Sequence, residues 1–196
     1  MPSIQPIDGA QEGTAALRRL GYRLVIVTAR NEHLRDASWE WTQQHFPGCF
    51  QDLICTGQFA VQQRPDGVDQ ANGIPKKITK ADVCIRIGAK LLIDDSLENA
   101  VAFAEHVPTT EDTVVPPVLL FGNYQWNKRL SFPEDERDDM TYARRVELRN
   151  GDTSFLAEDA QLCEDALARV NERRQNFVQR AKNWKEVVRY VEALEV

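Results

Sequence analysis

The chain has 196 residues, enough for one domain with a full core or one domain with an appendage. Hydrophobic residues at 42% and charged residues at 28% are the balance of a globular protein. Lys+Arg 24 against Asp+Glu 30 gives a net charge of −6, which argues against a nucleic acid polymer or an anionic membrane as partner. No apolar stretch approaches the ~18 residues of a membrane span. The first residues, Met1-Pro2-Ser3-Ile4-Gln5-Pro6, lack the basic and apolar segments of a secretion signal, so a cytoplasmic protein is expected. Cys49, Cys55, Cys84 and Cys163 are scattered and read as reduced and structural. His33, His45 and His106 form no spaced motif either, so zinc and Cys–His chemistry have little support.

In chain order, a helix is expected from Asp8 to about Leu20, with Asp8 as its cap, Gln11 as the reciprocal partner and Gly21 as its stop. Tyr22 to Thr28 reads as a buried β-branched strand. A helix over Glu32 to His45 follows, with Leu34, Ala37, Trp41 and His45 at helical spacing, and Pro47-Gly48 breaks it. Asp52 to Thr56 is the next strand. Residues 57–76, rich in Gln, Gly, Asp and Pro, read as a long loop of the functional or disordered kind. Thr79 or Lys80 opens a helix to about Ile87, stopped by Gly88. Lys90 to Asp94 is an apolar strand ending in Asp94-Asp95, and Ser96 can cap a helix over Leu97 to Glu105. Pro117 to Phe121 is a further strand, ended by Gly122. Residues 131–152 read as charged and irregular, and 157–195 as helical, with Trp184, Val187, Val188, Val191 and Leu194 forming a stripe that docks on the sheet.

Strands alternating with helices through short connections predict an open, mostly parallel α/β sheet. The expected division is an α/β core over 1–130, a charged loop over 131–156 and C-terminal helices over 157–196. The carboxyl ends of parallel strands are where such sheets place their ligands. Asp94 and Asp95 arrive there together, and two adjacent carboxylates are costly without a cation or donors to offset their charge. They therefore suggest a Mg²⁺ site.

Val25-Ile26-Val27-Thr28, then Lys80, then Leu92-Ile93-Asp94-Asp95 fourteen residues later, stand in the order of the second, third and fourth motifs of the haloacid dehalogenase superfamily. Phe121-Gly122-Asn123-Tyr124-Gln125-Trp126-Asn127-Lys128-Arg129 resembles the segment after the next strand in its 5′-nucleotidase-type branch. The resemblance covers residues 6–129 and the final helix. It implies a three-layer Rossmann-like sandwich and descent from Mg²⁺-dependent phosphomonoester hydrolases. Thr28 and Arg30 would then contact an anionic phosphoryl group, Lys80 would neutralise developing charge, and Asp94 and Asp95 would bind Mg²⁺.

Blander readings stand beside these. Thr28 could be a turn or cap residue, and Lys80 a surface charge with Lys76, Lys77 and Lys90 as competitors. Asp94-Asp95 could be a strand-end turn in which Asp95 caps the next helix. Trp126 and Trp184 read as packing residues. The run Glu134-Asp135-Glu136-Arg137-Asp138-Asp139 reads as a solvated loop.

The family's first motif, a central strand ending in the Asp-x-Asp that holds the nucleophile, has no counterpart before the first helix. Only seven residues precede Asp8, and two are prolines, which cannot donate to a sheet ladder. Asp8 reads as a cap and not as a substitute. The expectation is a protein of nucleotidase ancestry, inactive or weakly active as these residues, with Mg²⁺ affinity weakened or lost. The alternative is a non-catalytic module that binds a phosphorylated small molecule or a protein. Without a central strand, the Thr28 and Asp94 strands either pair directly or expose edges, and exposed edges suggest a homodimer.

Overall fold

The structure, a computed structural model, describes residues 4–57, 78–106, 114–128 and 141–194. In chain order its elements are α1 (Ala10–Arg19), β1 (Leu24–Thr28), α2 (Arg35–His45) and β2 (Phe50–Cys55). Then come α3 (Lys80–Arg86), β3 (Leu92–Asp94), α4 (Leu97–Glu105) and β4 (Val118–Phe121). Helices α5 (Tyr142–Leu148) and α6 (Phe155–Arg173), strand β5 (Val178–Ala181) and helix α7 (Trp184–Leu194) complete the chain. Short 3-10 turns occupy Glu32–Leu34 and Gln125–Lys128. Two compact units result, one from Met1–Gly88 with Trp184–Val196 and one from Ala89–Asn183. The expected mixed α/β character with parallel sheets holds in both. No helix among the described residues is long and apolar enough to cross a membrane.

In the first unit, β1 and β2 form a two-stranded parallel sheet in which Ile26 faces Leu53 and Thr28 faces Cys55. All five residues of β1 are half-buried, where full burial was expected. Among the described residues β1 has one paired edge, which accounts for the shallower burial. Helix α1 ends as foreseen at Gly21, whose φ of +89° suits a residue without Cβ. The Gly21 N–H donates to the Arg18 carbonyl at 3.0 Å and the Tyr22 N–H to the Leu17 carbonyl at 3.1 Å, a Schellman closure. Its start departs from expectation. Gly9, with φ +76°, holds the cap position, and no side chain makes the cap bond. The left-handed turn at Gly9 brings the chain into the helix and leaves Asp8 exposed.

Helix α2 also turns a different face inward. Ser38 and Thr42 are buried, while Leu34 and Ala37 are exposed. Polar burial is tolerated because both hydroxyls are satisfied: Thr42 Oγ1 donates to the Ser38 carbonyl at 2.8 Å, and Arg30 donates to Ser38 Oγ at 2.8 Å. The C-terminal stripe docks elsewhere than expected. Helix α7 packs on α1, where Gly13 lies against the Trp184 ring, and Leu194 stays exposed.

In the second unit a parallel sheet runs in the order β3-β4-β5. All of β4 is buried, and Leu97, Phe103, Phe155 and Cys163 close the core around it. Residues 141–148 were expected to be irregular but form α5, capped by Thr141 Oγ1 accepting from the Arg144 N–H at 3.3 Å. The span expected to be wholly helical is interrupted by β5. Val178-Gln179-Arg180-Ala181 has a single strong strand former, and β4 supplies the ladder that holds it extended. The long loop over 57–76 and the acidic run over 134–139 lie, apart from Gly57, outside the described residues.

Candidate functional site

In the second unit, β3 delivers Asp94 and Asp95 to the carboxyl end of the parallel sheet. Asp94 is buried and Asp95 exposed, as the alternation of a strand end requires. Asp94 Oδ1 accepts from the Ser96 N–H at 2.9 Å and from Asn99 Nδ2 at 3.0 Å. Burying this carboxylate is therefore compensated by donors from the turn and from α4. Ser96, not Asp95, caps α4: its Oγ accepts from the Asn99 N–H at 3.1 Å and donates to Glu98 Oε2 at 2.8 Å. Asp95 has another partner, with its Oδ2 accepting from Trp126 Nε1 at 2.8 Å.

The loop after β4 is built to hold Trp126 there. Asn127 is fully buried, and its Nδ2 donates to the carbonyls of Phe121 and Gly122 at 3.0 and 3.1 Å. Gly122 has φ +86°, and a Cβ on it would overlap the Tyr124 ring. Tyr124 in turn stacks on Trp126 with centroids 4.3 Å apart and planes 7° from parallel. Trp126 was expected to be a packing residue, yet 58% of it is exposed. Trp184, by contrast, does pack, against Gly13. Sequence reasoning passed over Asn99, Tyr124 and Asn127. Their signal was an Asn at the third position of a capped helix and the Gly-Asn-Tyr-Gln-Trp-Asn run itself.

In the first unit, β1 places Thr28 at the matching end of its own sheet. Thr28 Oγ1 accepts from the Arg30 N–H at 3.3 Å, so the hydroxyl shapes the turn. The Thr28 carbonyl accepts from the Thr56 N–H at 2.8 Å, and the Arg30 carbonyl from the Gly57 N–H at 3.1 Å. Arg30 is exposed, with one end of its guanidinium on Ser38 Oγ. Cys55 sits opposite Thr28, and burial first, then Glu32, pushes its thiol above the ordinary 9.0. It stays a thiol at neutral pH, which suits a packing role and not a nucleophile. None of the four cysteines is in a disulfide.

Lys80 is the first residue of α3 and is half-buried. A capping box fixes that helix start: Thr79 Oγ1 accepts from the Asp82 N–H at 3.1 Å, and the Thr79 N–H donates to Asp82 Oδ2 at 2.9 Å. Lys76 and Lys77 lie outside the described residues, and Lys90 is exposed at the entry to β3. Thr28, Arg30 and Lys80 thus belong to one unit, and Asp94 and Asp95 to the other.

Against protein-family models, curated proteins and solved structures, the chain has no match. Its chemistry must be argued from its own side chains. Among the described residues no three His, Cys, Asp or Glu side chains gather into a metal-holding group. The donor set at β3 is two adjacent carboxylates. That suits Mg²⁺, which is commonly held by one or two carboxylates and keeps several waters, better than a cation that needs a full protein cage.

Proposed function

We propose that the chain is a haloacid dehalogenase-like, cytoplasmic protein related to Mg²⁺-dependent phosphomonoester hydrolases of nucleotidase type. Its ligand is a phosphorylated small molecule, and as these 196 residues it has little or no turnover. The observation that supports this reading is the pair Asp94-Asp95 at the carboxyl end of a parallel strand, one carboxylate buried and clamped, the other exposed beside it. Asp94 and Asp95 would hold Mg²⁺, which supplies charge neutralisation to a phosphoryl group. In the first unit the same reading assigns the Thr28 hydroxyl and Arg30 guanidinium to phosphoryl oxygens, and Lys80 to counter-charge. Low turnover follows because no Asp-x-Asp stands before Thr28 to supply a nucleophile.

Calorimetric titration with Mg²⁺, alone and with a phosphomonoester, tests the reading, together with a p-nitrophenyl phosphate assay. Mg²⁺-assisted phosphomonoester binding that is lost in Asp94→Asn, with negligible turnover, is the expected result. Robust turnover abolished by Asp94→Asn would replace the silent protein with a working hydrolase. Absence of both Mg²⁺ and phosphomonoester binding would end the reading altogether.

A second reading rests on the strand pairing. Among the described residues β1 pairs only with β2, and β3 only with β4, so an edge of each could pair with another copy. Light scattering coupled to gel filtration decides it: a mass twice 22.3 kDa supports a homodimer, and a mass of 22.3 kDa removes it.

A further inference from the structure

Exposed tryptophan is ordinary when single and unsupported, but Trp126 is neither. One face of its indole is covered by Tyr124 at 4.3 Å and 7°, its N–H is tied to Asp95 at 2.8 Å, and 58% of the residue still faces solvent. Three further features hold the arrangement. Gly122 leaves room for the Tyr124 ring, Asn127 pins the two carbonyls that begin the loop, and Asp95 fixes the rotation of the indole. A flat aromatic surface held this way, at the carboxyl end of a parallel sheet, is preorganised to receive a second flat surface.

We propose that Trp126, backed by Tyr124, is a stacking ledge for the aromatic ring of a ring-bearing phosphomonoester. The ring end rests on the geometry of the ledge, and the phosphate end rests on the phosphomonoester reading above. The ring lies on the outer face of the indole, continuing the Tyr124–Trp126 stack. The Asp95 carboxylate at the indole N–H increases the electron density of that face, which favours an electron-poor heteroaromatic ring. One open face, not a box of several, selects a flat ring over a quaternary ammonium, whose binding uses aromatic cages. Asp95 links the two ends of the ligand site, since the same carboxylate orients the ledge and belongs to the pair assigned to Mg²⁺.

The test uses the full chain with four probes in the presence of Mg²⁺: adenosine monophosphate, adenosine, ribose 5-phosphate and phosphocholine. Binding is followed by calorimetry and by tryptophan emission, in wild type, Trp126→Ala and Trp126→Phe. Circular dichroism confirms that each variant keeps its fold. Stacking on one aromatic side chain predicts that adenosine monophosphate binds about 10- to 100-fold tighter than ribose 5-phosphate. It also predicts that binding quenches an emission component missing from Trp126→Ala. The ratio of the two affinities collapses to about one in Trp126→Ala and is largely kept in Trp126→Phe, which retains a ring.

An unchanged ratio in Trp126→Ala overturns the ledge, as does a Trp126-dependent preference for phosphocholine. Ribose 5-phosphate binding with no advantage for the ring also overturns it, while leaving the phosphomonoester reading intact. Adenosine binding as tightly as its monophosphate, with the same dependence on Trp126, keeps the ledge and removes the phosphate. Failure of every probe to bind overturns both.

Discussion

A β-carbon placed on Gly13 would lie 2.6 Å from Cε3 of Trp184 and 2.9 Å from its Cβ. This contact joins α1, near the start of the chain, to α7, at its end. The absent side chain at residue 13 lets the two helices approach until the indole rests on backbone.

Gly13→Ala should therefore destabilise the first unit. Alanine is favoured over glycine in a helix by ~1 kcal/mol, but overpacking costs about 1–3 kcal/mol, so a net loss of about 1–2 kcal/mol is expected in urea unfolding. Trp184→Leu in the same chain should recover part of that loss by making room. A Gly13→Ala variant more stable than wild type would contradict the close contact.

Helix α3 has only seven residues, so its start matters more than its interior. Thr79→Ala removes the acceptor for the Asp82 N–H and one side of the capping box. A cost of about 1 kcal/mol is expected, with faster amide exchange at Asp82 and Val83. Thr79→Ser, which keeps the hydroxyl, should restore protection.

Arg145 and Asp159 join α5 to α6 through two bonds of 2.6 and 2.9 Å, and the guanidinium lies 4.0 Å above the Phe155 ring centroid. Their side chains are only 14% and 17% exposed. Asp159→Ala should cost about 2–3 kcal/mol, because it leaves a mostly buried cation without its carboxylate. Replacing both by Met and Leu should cost less than the single change, which a double-mutant cycle in urea measures.

Acid should loosen the same corner. The Arg149 guanidinium bonded to Glu158 lowers that carboxyl below its ordinary 4.5, and the Ser154 backbone N–H, then its hydroxyl, lower Asp152 below 3.8. Carboxyls depressed by folding stabilise above their ordinary values and lose that contribution as pH falls through the depressed ones. The corner should hold at pH above 4.5 and weaken progressively below 3.8. Carboxyl carbon shifts followed by NMR check this. Arg149→Ala should raise the Glu158 midpoint more than that of Asp152, and a Glu158 midpoint at or above 4.5 in wild type would contradict the pairing.

Much of the fold was legible in local signals. Gly21 and Gly88 stop their helices because a left-handed residue closes the last turn, and Ser96 starts α4 because a hydroxyl there meets an orphan N–H. The aliphatic run before Asp94 could only be a short buried strand. Asp8, Ser38 and Trp126 were misread for one common reason. Whether a cap bond forms, which face of a helix turns inward, and whether an indole is covered are set by neighbours distant in the chain.

The sequence by itself determined where helices begin and end and which carboxylates reach a strand end, because those outcomes depend on backbone groups within a few residues. It also set the order Thr28, Lys80, Asp94, Asp95 that suggests phosphoryl chemistry. Tertiary structure alone decided that Val178 to Ala181 is a strand, since four residues of modest propensity become extended only when β4 offers them a ladder. It decided as well that Trp126 turns its indole N–H to Asp95 and keeps an open face. Residues 31 positions apart meet only once β3 and β4 lie side by side.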